Sequence, residues 1–211
     1  MQDTHRHKHL NIKMNPFVNF ISHFVSLSDS DSDLLENELT YRKFKTGDKI
    51  LQEGSICKNI LFIVSGKARS FFINHEGQDF TWNFHFNDNE SKFENYFLVD
   101  YNSFLTQTPT FLSFQALEDI EVVMLSYDSI QKLTSNSLLL EKVASKMSET
   151  AYQNVHKRAF TLLTLNAKER YLQLLKEEPY LLNKFQYYLI ASYLGVAPQS
   201  LSRLRKEIIK S

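Results

Sequence analysis

The residues best suited to chemistry lie near the C-terminus, in the stretch ASYLGVAPQSLSRLRKEI, residues 191–208. Four polar residues recur at spacings i, i+3, i+4 and i+7, which place them on one face of a helix: Gln199, Ser202, Arg203 and Lys206. Three apolar residues fall on another face: Leu201, Leu204 and Ile208. A helix held by its leucines would present amide, hydroxyl and guanidinium groups, which match the edges of bases in the major groove of DNA.

The residues before this helix predict a second helix and a tight turn. Gly195 favours the left-handed backbone that ends a helix, and Pro198 suits the first turn of the next one. Ala191 is small enough for the two helices to cross closely. A solvated surface helix is the plain alternative, but such a helix usually mixes charges, whereas this face carries only Glu207 as an acid. The pattern therefore favours a DNA-binding helix-turn-helix.

The charge distribution agrees with an anionic partner. The chain of 211 residues has a formal net charge of zero. Residues 157–211 nevertheless hold ten Lys and Arg against four Asp and Glu, whereas residues 1–156 hold fourteen against twenty. A basic C-terminal quarter on an acidic body indicates one specialised contact with an anion such as nucleic acid.

Composition excludes several other classes of protein. Hydrophobic residues make up 43% and charged residues 23%, which is typical of a globular chain. No apolar run is long enough for a membrane span, and the N-terminus lacks the apolar core of a signal peptide, so we expect a cytoplasmic protein. The single Cys57 cannot form an internal disulfide or hold an iron–sulfur cluster or structural zinc alone. We expect no metal and no cofactor, and a buried, inert thiol.

The N-terminal end carries alternate histidines, which can bind a metal: His5, His7 and His9. We interpret residues 1–13 as a mobile tail instead, because nothing nearby could bury them. The sequence leaves open whether the chain starts at Met1 or Met14.

Hydrophobic periodicity predicts the helices and strands that position the C-terminal helices. Residues 15–28 predict a short amphipathic helix, followed by several candidate helix N-caps in SDSDSDLLENEL. Seven β-like runs then follow, separated by turns: 41–45, 49–52, 59–65, 67–74, 79–86, 111–117 and 120–126. Their number and spacing predict one antiparallel sandwich or barrel, and the residues after it read as helix.

Residues 137–165 contain no Gly or Pro and predict one long helix. Apolar and small residues recur along it at the spacing of a helical seam: Leu140, Ala144, Met147, Ala151, Val155, Ala159 and Leu162. This stripe fits an ordinary core face or a parallel dimer. Asn166 with Glu169 predicts the capped start of the next helix, and Pro179 its end.

In combination and order, these features resemble the Crp/Fnr family of bacterial transcription regulators. The resemblance spans nearly the whole chain from Met14 and rests on EGSICKNILFIVSGKARSFF, QALEDIEVVMLS, the long helix and ASYLGVAPQSLSRLRK. It implies an α+β fold with an N-terminal antiparallel β-roll (a cyclic nucleotide-binding-like jelly roll), a long connecting dimerisation helix and a small C-terminal helix-turn-helix domain. We place these at residues 14–133, 134–165 and 166–211. The family further implies a homodimer on a two-fold symmetric operator that contacts RNA polymerase.

By position in the motif, the resemblance assigns base readout to Gln199, Ser202 and Arg203. The predicted contacts to DNA phosphate are Ser200, Arg205, Lys206, Gln186 and Tyr187. Only three residues follow Ile208, so we expect no hairpin wing after the recognition helix. Its backbone contacts would be missing or supplied by Gln186, Tyr187 and Lys184.

The sequence differs from that of family members that bind cyclic AMP. Those members carry a Gly-Glu pair and then an Arg-Ser pair around the ribose and cyclic phosphate, whereas this chain has Val99-Asp100 and Thr110-Phe111. A desolvated phosphate without a cation is costly, so we expect no useful affinity for cyclic AMP. Lys67 or Arg69 are the remaining sources of charge. The candidate effector pocket, for a small and largely apolar molecule, comprises Trp82, Phe84, Asp100, Thr110 and Phe111; filling of the roll by its aromatic residues is the alternative.

Two other functions would require different residue patterns. A metal-dependent β-barrel enzyme would need two or three converging histidines and a carboxylate, whereas His85 stands alone and His75 lies in a probable turn. We therefore expect no enzyme. A ligand- or protein-binding sensor with a non-functional DNA-binding helix is the second alternative, which the expected lack of a wing supports.

Overall fold

The computed structural model describes residues 15–210, with side chains described to Ile208. The expected tail 1–13 and both candidate start residues lie outside the described residues. The chain begins with two short helices, α1 (Pro16–Ser22) and α2 (Asp29–Asn37). Each begins at a side-chain cap, because Asn15 accepts from the Phe17 amide and Ser28 accepts from the Asp31 amide. These helices cover one face of the β structure that follows.

Eight strands form the β-roll: β1 (Thr40–Phe44), β2 (Lys49–Leu51), β3 (Asn59–Ser65), β4 (Lys67–Ile73), β5 (Asp79–Phe86), β6 (Phe97–Leu98), β7 (Ser113–Ala116) and β8 (Ile120–Ser126). They make two antiparallel four-stranded sheets, ordered β1-β8-β3-β6 and β2-β7-β4-β5. The predicted sandwich is confirmed, and β6 is a strand that the sequence pattern did not indicate.

The turn between β3 and β4 requires glycine. Gly66 has φ of +85°, and a β-carbon there would lie 2.3 Å from the Asp119 carbonyl oxygen. Only a residue without a side chain fits both the left-handed backbone and this approach.

We call the apolar interior of the roll the roll core; its completely buried members are Ile63, Ala68, Leu98 and Val122. Strand β3 is apolar on both faces, because its outer face is covered by α1: Phe62 lies with its ring centroid 5.5 Å from Phe17 and 5.1 Å from Phe20. Cys57 belongs to the roll core and is 2% exposed, and burial raises the pKa of its thiol to about 11. The thiol is therefore protonated at neutral pH, as expected of an inert cysteine.

Two further helices, α3 (Phe93–Tyr96) and α4 (Tyr101–Thr106), flank β6. After β8, helix α5 (Tyr127–Asn136) precedes the long helix α6 (Leu138–Thr164). The N-cap of α5 is Ser126, whose hydroxyl accepts from the Ser129 amide at 3.0 Å. The next helix, α7 (Ala167–Glu177), begins at the predicted Asn166–Glu169 capping box and ends before Pro179.

The C-terminal helices are α8 (Leu181–Lys184), α9 (Tyr187–Tyr193) and α10 (Pro198–Lys210). Gly195 has the predicted left-handed backbone, with φ of +66°, and Pro198 is the first residue of α10. Helices α9 and α10 are therefore joined by the tight turn that the sequence predicts. Their apolar faces meet helix α7 and strand β5 in a second cluster, which we call the junction core: Phe84, Phe86, Tyr171, Leu174, Leu181, Phe185, Leu189, Ile190, Ala191, Leu194 and Leu201.

Candidate functional site

Helix α10 separates its apolar and polar residues onto different sides. Leu201 is completely buried in the junction core, and Leu204 and Ile208 are partly buried. The three residues expected to read bases, Gln199, Ser202 and Arg203, are all exposed. The structure therefore places them together on an outward face whose orientation is fixed from behind.

The packing of α9 explains how α10 is held. Ile190 and Ala191 are fully buried, and the small side chain of Ala191 leaves room for the crossing. The turn between the helices is also confined, because a β-carbon on Gly195 would lie 2.9 Å from the Phe80 ring on β5. Helix α10 is thus located relative to the roll as well as to its neighbouring helix α9.

The residues expected to touch phosphate lie around the same surface. Ser200, Arg205, Lys206 and Gln186 are exposed, and the Arg205 guanidinium lies 5.6 Å from the centroid of the half-buried Tyr187 ring. Lys184 has a different environment: its ammonium group pairs with Asp88 and, at 2.8 Å, with Glu90, both from the roll. Lys184 is therefore occupied in holding the C-terminal helices to the roll.

A polar network at β5 binds α9 to the roll. The Ser192 hydroxyl accepts from the Thr81 amide at 2.7 Å and lies 2.9 Å from the Asp79 carboxylate. The same carboxylate receives two hydrogen bonds from the buried Arg69 guanidinium, at 2.7 and 2.8 Å. The sequence does not predict this connection, because Ser192 and Asp79 are 113 residues apart and neither belongs to a local motif.

Arg158 on α6 is a further residue that sequence analysis missed. Its guanidinium donates to the carbonyl oxygens of Thr81 on β5 and Tyr193 at the end of α9, and lies 3.9 Å from the Tyr193 ring centroid. One side chain therefore connects the long helix, the roll and helix α9.

The five residues of the expected effector pocket do not lie in one cavity. Phe84 stacks on Phe185 in the junction core, with ring centroids 3.9 Å apart. Asp100 caps α4 and accepts the hydroxyl hydrogen bond of the buried Thr110. Phe111 is 76% exposed. Trp82 alone of the five lines a cavity between the roll, α6 and α7.

The two side chains suggested as a source of charge for a cyclic phosphate have other partners. Lys67 pairs with Glu118 at 2.6 Å, and Arg69 pairs with Asp79. Within residues 15–210, no group of three or more His, Cys, Asp or Glu is arranged to hold a metal ion. Helices of the described part of the chain are also too short or too polar to span a bilayer.

Comparison with known proteins identifies the roll. Residues 41–137 match the family model of the cyclic nucleotide-binding domain. No curated protein sequence matches the chain.

Solved structures extend the likeness to most of the chain. FixK2 from Bradyrhizobium japonicum is 17% identical with a TM-score of 0.67, covering 82% of this chain and 85% of its own. A protein described as a transcriptional regulator of the crp/fnr family from Eubacterium rectale is 17% identical with a TM-score of 0.64, covering 93% and 88%. The catabolite activator protein of Thermus thermophilus is 20% identical with a TM-score of 0.54, covering 89% and 86%.

These comparisons define the fold. The chain contains a cyclic nucleotide-binding domain followed by helices, and it has the fold of the Crp/Fnr transcription regulators. The predicted α+β fold class is thereby confirmed.

Proposed function

We propose that the chain is a sequence-specific DNA-binding transcription regulator of the Crp/Fnr type that acts in the cytoplasm and is not an enzyme. The observation that carries this proposal is the outward face of α10, where Gln199, Ser202 and Arg203 are exposed while Leu201 is buried behind them. An exposed arginine on a rigid helix can donate two hydrogen bonds to a guanine edge. Residues 166–211 would be the DNA-binding domain and residues 14–133 the effector domain.

The long helix supports a homodimer as the binding unit, with residues 134–165 as the dimerisation segment. Large apolar side chains are exposed along the C-terminal half of α6: Tyr152, Val155, Phe160 and Leu163. The expected seam differs at the other half, where Leu140 and Met147 pack against the roll core of the same chain. A parallel pair of such helices would carry two recognition helices to half-sites of a two-fold symmetric operator, roughly 34–36 Å apart. RNA polymerase is the expected protein partner on that DNA.

The loop at Asp100 supports the proposal that cyclic AMP is not the effector. Asp100 is occupied by the α4 cap and by Thr110, and Arg69 is occupied by Asp79. A cyclic phosphate at this loop would have to break an existing pair to gain a cation, which is costly in a buried site. Calorimetric titration with cyclic AMP and cyclic GMP should therefore show no binding, and a micromolar dissociation constant for either would contradict the expectation.

Selection of DNA from a random pool tests the main proposal. The selected sites should share a two-fold symmetric sequence, and Arg203→Ala should weaken binding about tenfold or more while relaxing the preference at one base, because a bidentate contact contributes about 1–3 kcal/mol of discrimination. Arg42→Ala is the matched control, since Arg42 is exposed on β1. Sites without symmetry would refute the dimer, and an unaffected Arg203→Ala variant would favour the sensor with a non-functional helix.

A further inference from the structure

Three side chains on the outward face of α10 have no partner within the part of the chain that the structure describes. Gln199, Ser202 and Arg203 are exposed and make no side-chain hydrogen bond, ion pair or ring contact with another described residue. Lys45, an exposed cation of the roll, differs from them because it pairs with Asp119 at 2.7 Å. The three side chains of α10 are therefore available to a molecule outside the chain.

A second arginine on the same helix is held in place. The Arg205 guanidinium lies 5.6 Å from the centroid of the Tyr187 ring, beside α9. Arg203 has no such contact, so all of its N–H donors are free. Of these two arginines, Arg203 is therefore the one that can turn its guanidinium towards a base.

Helix geometry decides which side chains point away from the junction core. Successive residues of an α-helix turn by about 100° around the axis. Leu201 is completely buried, and Gln199 and Arg203 each lie about 160° from it around the axis. Ser202 lies only about 100° from Leu201, at the edge of the outward face. Gln199 and Arg203 are thus directed most fully outwards in the first two turns of α10.

The same geometry fixes the spacing of Gln199 and Arg203. Four residues along the helix correspond to a rise of about 6 Å and a net turn of about 40°. Base pairs of DNA are stacked about 3.4 Å apart along the axis. The N-terminal residues of such a helix contact base edges in the major groove, so these two side chains would reach bases one or two pairs apart.

The functional groups distinguish the two purines. A glutamine amide carries one acceptor and donors, which match the N6 amino group and the N7 atom of adenine. A guanidinium carries donors alone, which match the O6 and N7 atoms of guanine. A serine hydroxyl can donate or accept, so Ser202 adds little discrimination between bases.

We propose that Gln199 is a specificity-determining residue that selects adenine, one or two base pairs from the guanine contacted by Arg203. Each half-site of the operator therefore contains an A·T pair and a G·C pair at that spacing. Because this assignment names bases for the face that is proposed to bind DNA, it rests on the proposed function. Exchange of the Gln199 side chain should change one base of each half-site and leave the others as they are.

Selection from a random DNA pool, followed by fluorescence anisotropy with single-base variants of the selected site, tests the assignment. The wild type should prefer adenine over the other bases about five- to hundredfold at one position of each half-site. Gln199→Glu should favour cytosine at that position, because a carboxylate accepts from the cytosine N4 amino group and cannot donate to adenine N7. The preference for guanine at the position contacted by Arg203 should be the same in both proteins.

Ser200→Asp is the matched control for the added negative charge. Ser200 is exposed next to Gln199 but lies about 100° from it around the axis. Its replacement should weaken binding to all sites by a similar factor, because contacts with phosphate carry no sequence information. Gln199→Ala should lose the preference at one position only. Circular dichroism should match that of the wild type in each variant, because neither side chain has a partner among the described residues.

The outcomes separate the base assignment from the proposed function. A two-fold symmetric site whose preferences stay unchanged in Gln199→Ala and Gln199→Glu overturns the assignment and leaves the DNA-binding function standing. A wild-type preference for a base other than adenine at the position that responds to Gln199 also overturns it, as does the same change of preference in Ser200→Asp. Failure of the wild type to enrich any sequence refutes the proposed function and the assignment together.

Discussion

The roll core and the junction core differ in the types of side chain they contain and in the elements that they join. The roll core is formed mainly by aliphatic side chains of neighbouring strands, such as Ile63, Val122 and Leu98, which are completely buried. The junction core combines Phe84 and Phe86 of β5 with residues from helices α7 to α10. The junction core therefore depends on strand β5 of the roll and the C-terminal helices remaining together.

The surroundings of the two clusters differ as well. The junction core is bordered by polar contacts between the roll and the helices, including Thr81 to Ser192 and Lys184 to Glu90. Water can replace such contacts when the surfaces separate, whereas aliphatic surface in the roll core has no comparable substitute. The comparison indicates that the C-terminal helices can leave β5 at a lower cost in free energy than the roll can open.

Truncating one large side chain in each core should give the largest effect. Ile63→Ala should lower the free energy of unfolding of the roll by about 2–5 kcal/mol, and Phe185→Ala should lower that of the C-terminal helices by about 3–5 kcal/mol. Native-state hydrogen exchange distinguishes them, because Phe185→Ala should raise exchange in α9 and α10 while the amides of β3 and β8 remain protected. Equal deprotection of all elements in both variants would mean that the two cores unfold as one unit.

Lowering the pH should destabilise the fold through His85. The pKa of its imidazole is near 6.5 in the unfolded chain and about 3 in the folded protein, where the ring is buried. The unfolded state therefore binds more protons below pH 6.5, and stability falls as the pH is lowered from 6.5 towards 3. The loss should reach about 2 kcal/mol at pH 5. Urea unfolding of wild type and His85→Gln at pH 8 and pH 5 measures it.

The comparison depends on the difference in pH slope rather than on the stability of the variant itself. His75→Gln is the control, because His75 is exposed in the turn between β4 and β5. It should retain the slope of the wild type. An identical slope in His85→Gln would show that other groups cause the acid sensitivity.

Ser192→Ala should give the smallest effect and act on the junction alone. The variant lacks the hydroxyl that accepts from the buried Thr81 amide and lies near Asp79. Its loss should destabilise the contact between α9 and the roll by about 1–2 kcal/mol. Limited proteolysis between α6 and α9 should become faster, with little change in the unfolding of the roll. Ser135→Ala, on the exposed face of α5, should leave the proteolysis rate unchanged.

Local patterns predicted most of the elements. Seven of the eight strands lie within or next to the predicted runs, and Asn166, Gly195 and Pro198 mark helix ends as expected. These features follow from side-chain alternation, capping and backbone freedom, which involve residues close in sequence. The two-residue strand β6 carries too little pattern to be recognised.

The residues of the expected effector pocket do not come together, because their positions depend on how β5 pairs with β4 and on contacts between distant parts of the chain. Trp82, Phe84 and Phe86 alternate in sequence, so one face of a strand would hold all three. Phe71 is opposite Thr81 and Ser70 is opposite Asn83, so Trp82 is the additional residue of a β-bulge. A bulge re-aims a side chain, which is consistent with Trp82 lining the cavity while Phe84 and Phe86 enter the junction core. Partners such as Arg158 and Tyr193 meet only after the chain has folded back on itself.

Arg158 has a mechanical consequence. Its guanidinium is anchored to two carbonyl oxygens, one on β5 and one at the C-terminal end of α9. A buried guanidinium without acceptors is unstable, so rotation of the C-terminal helices past α6 must transfer it to another pair of oxygens. The C-terminal helices would then occupy a few distinct orientations relative to α6, and intermediate orientations would be sparsely populated.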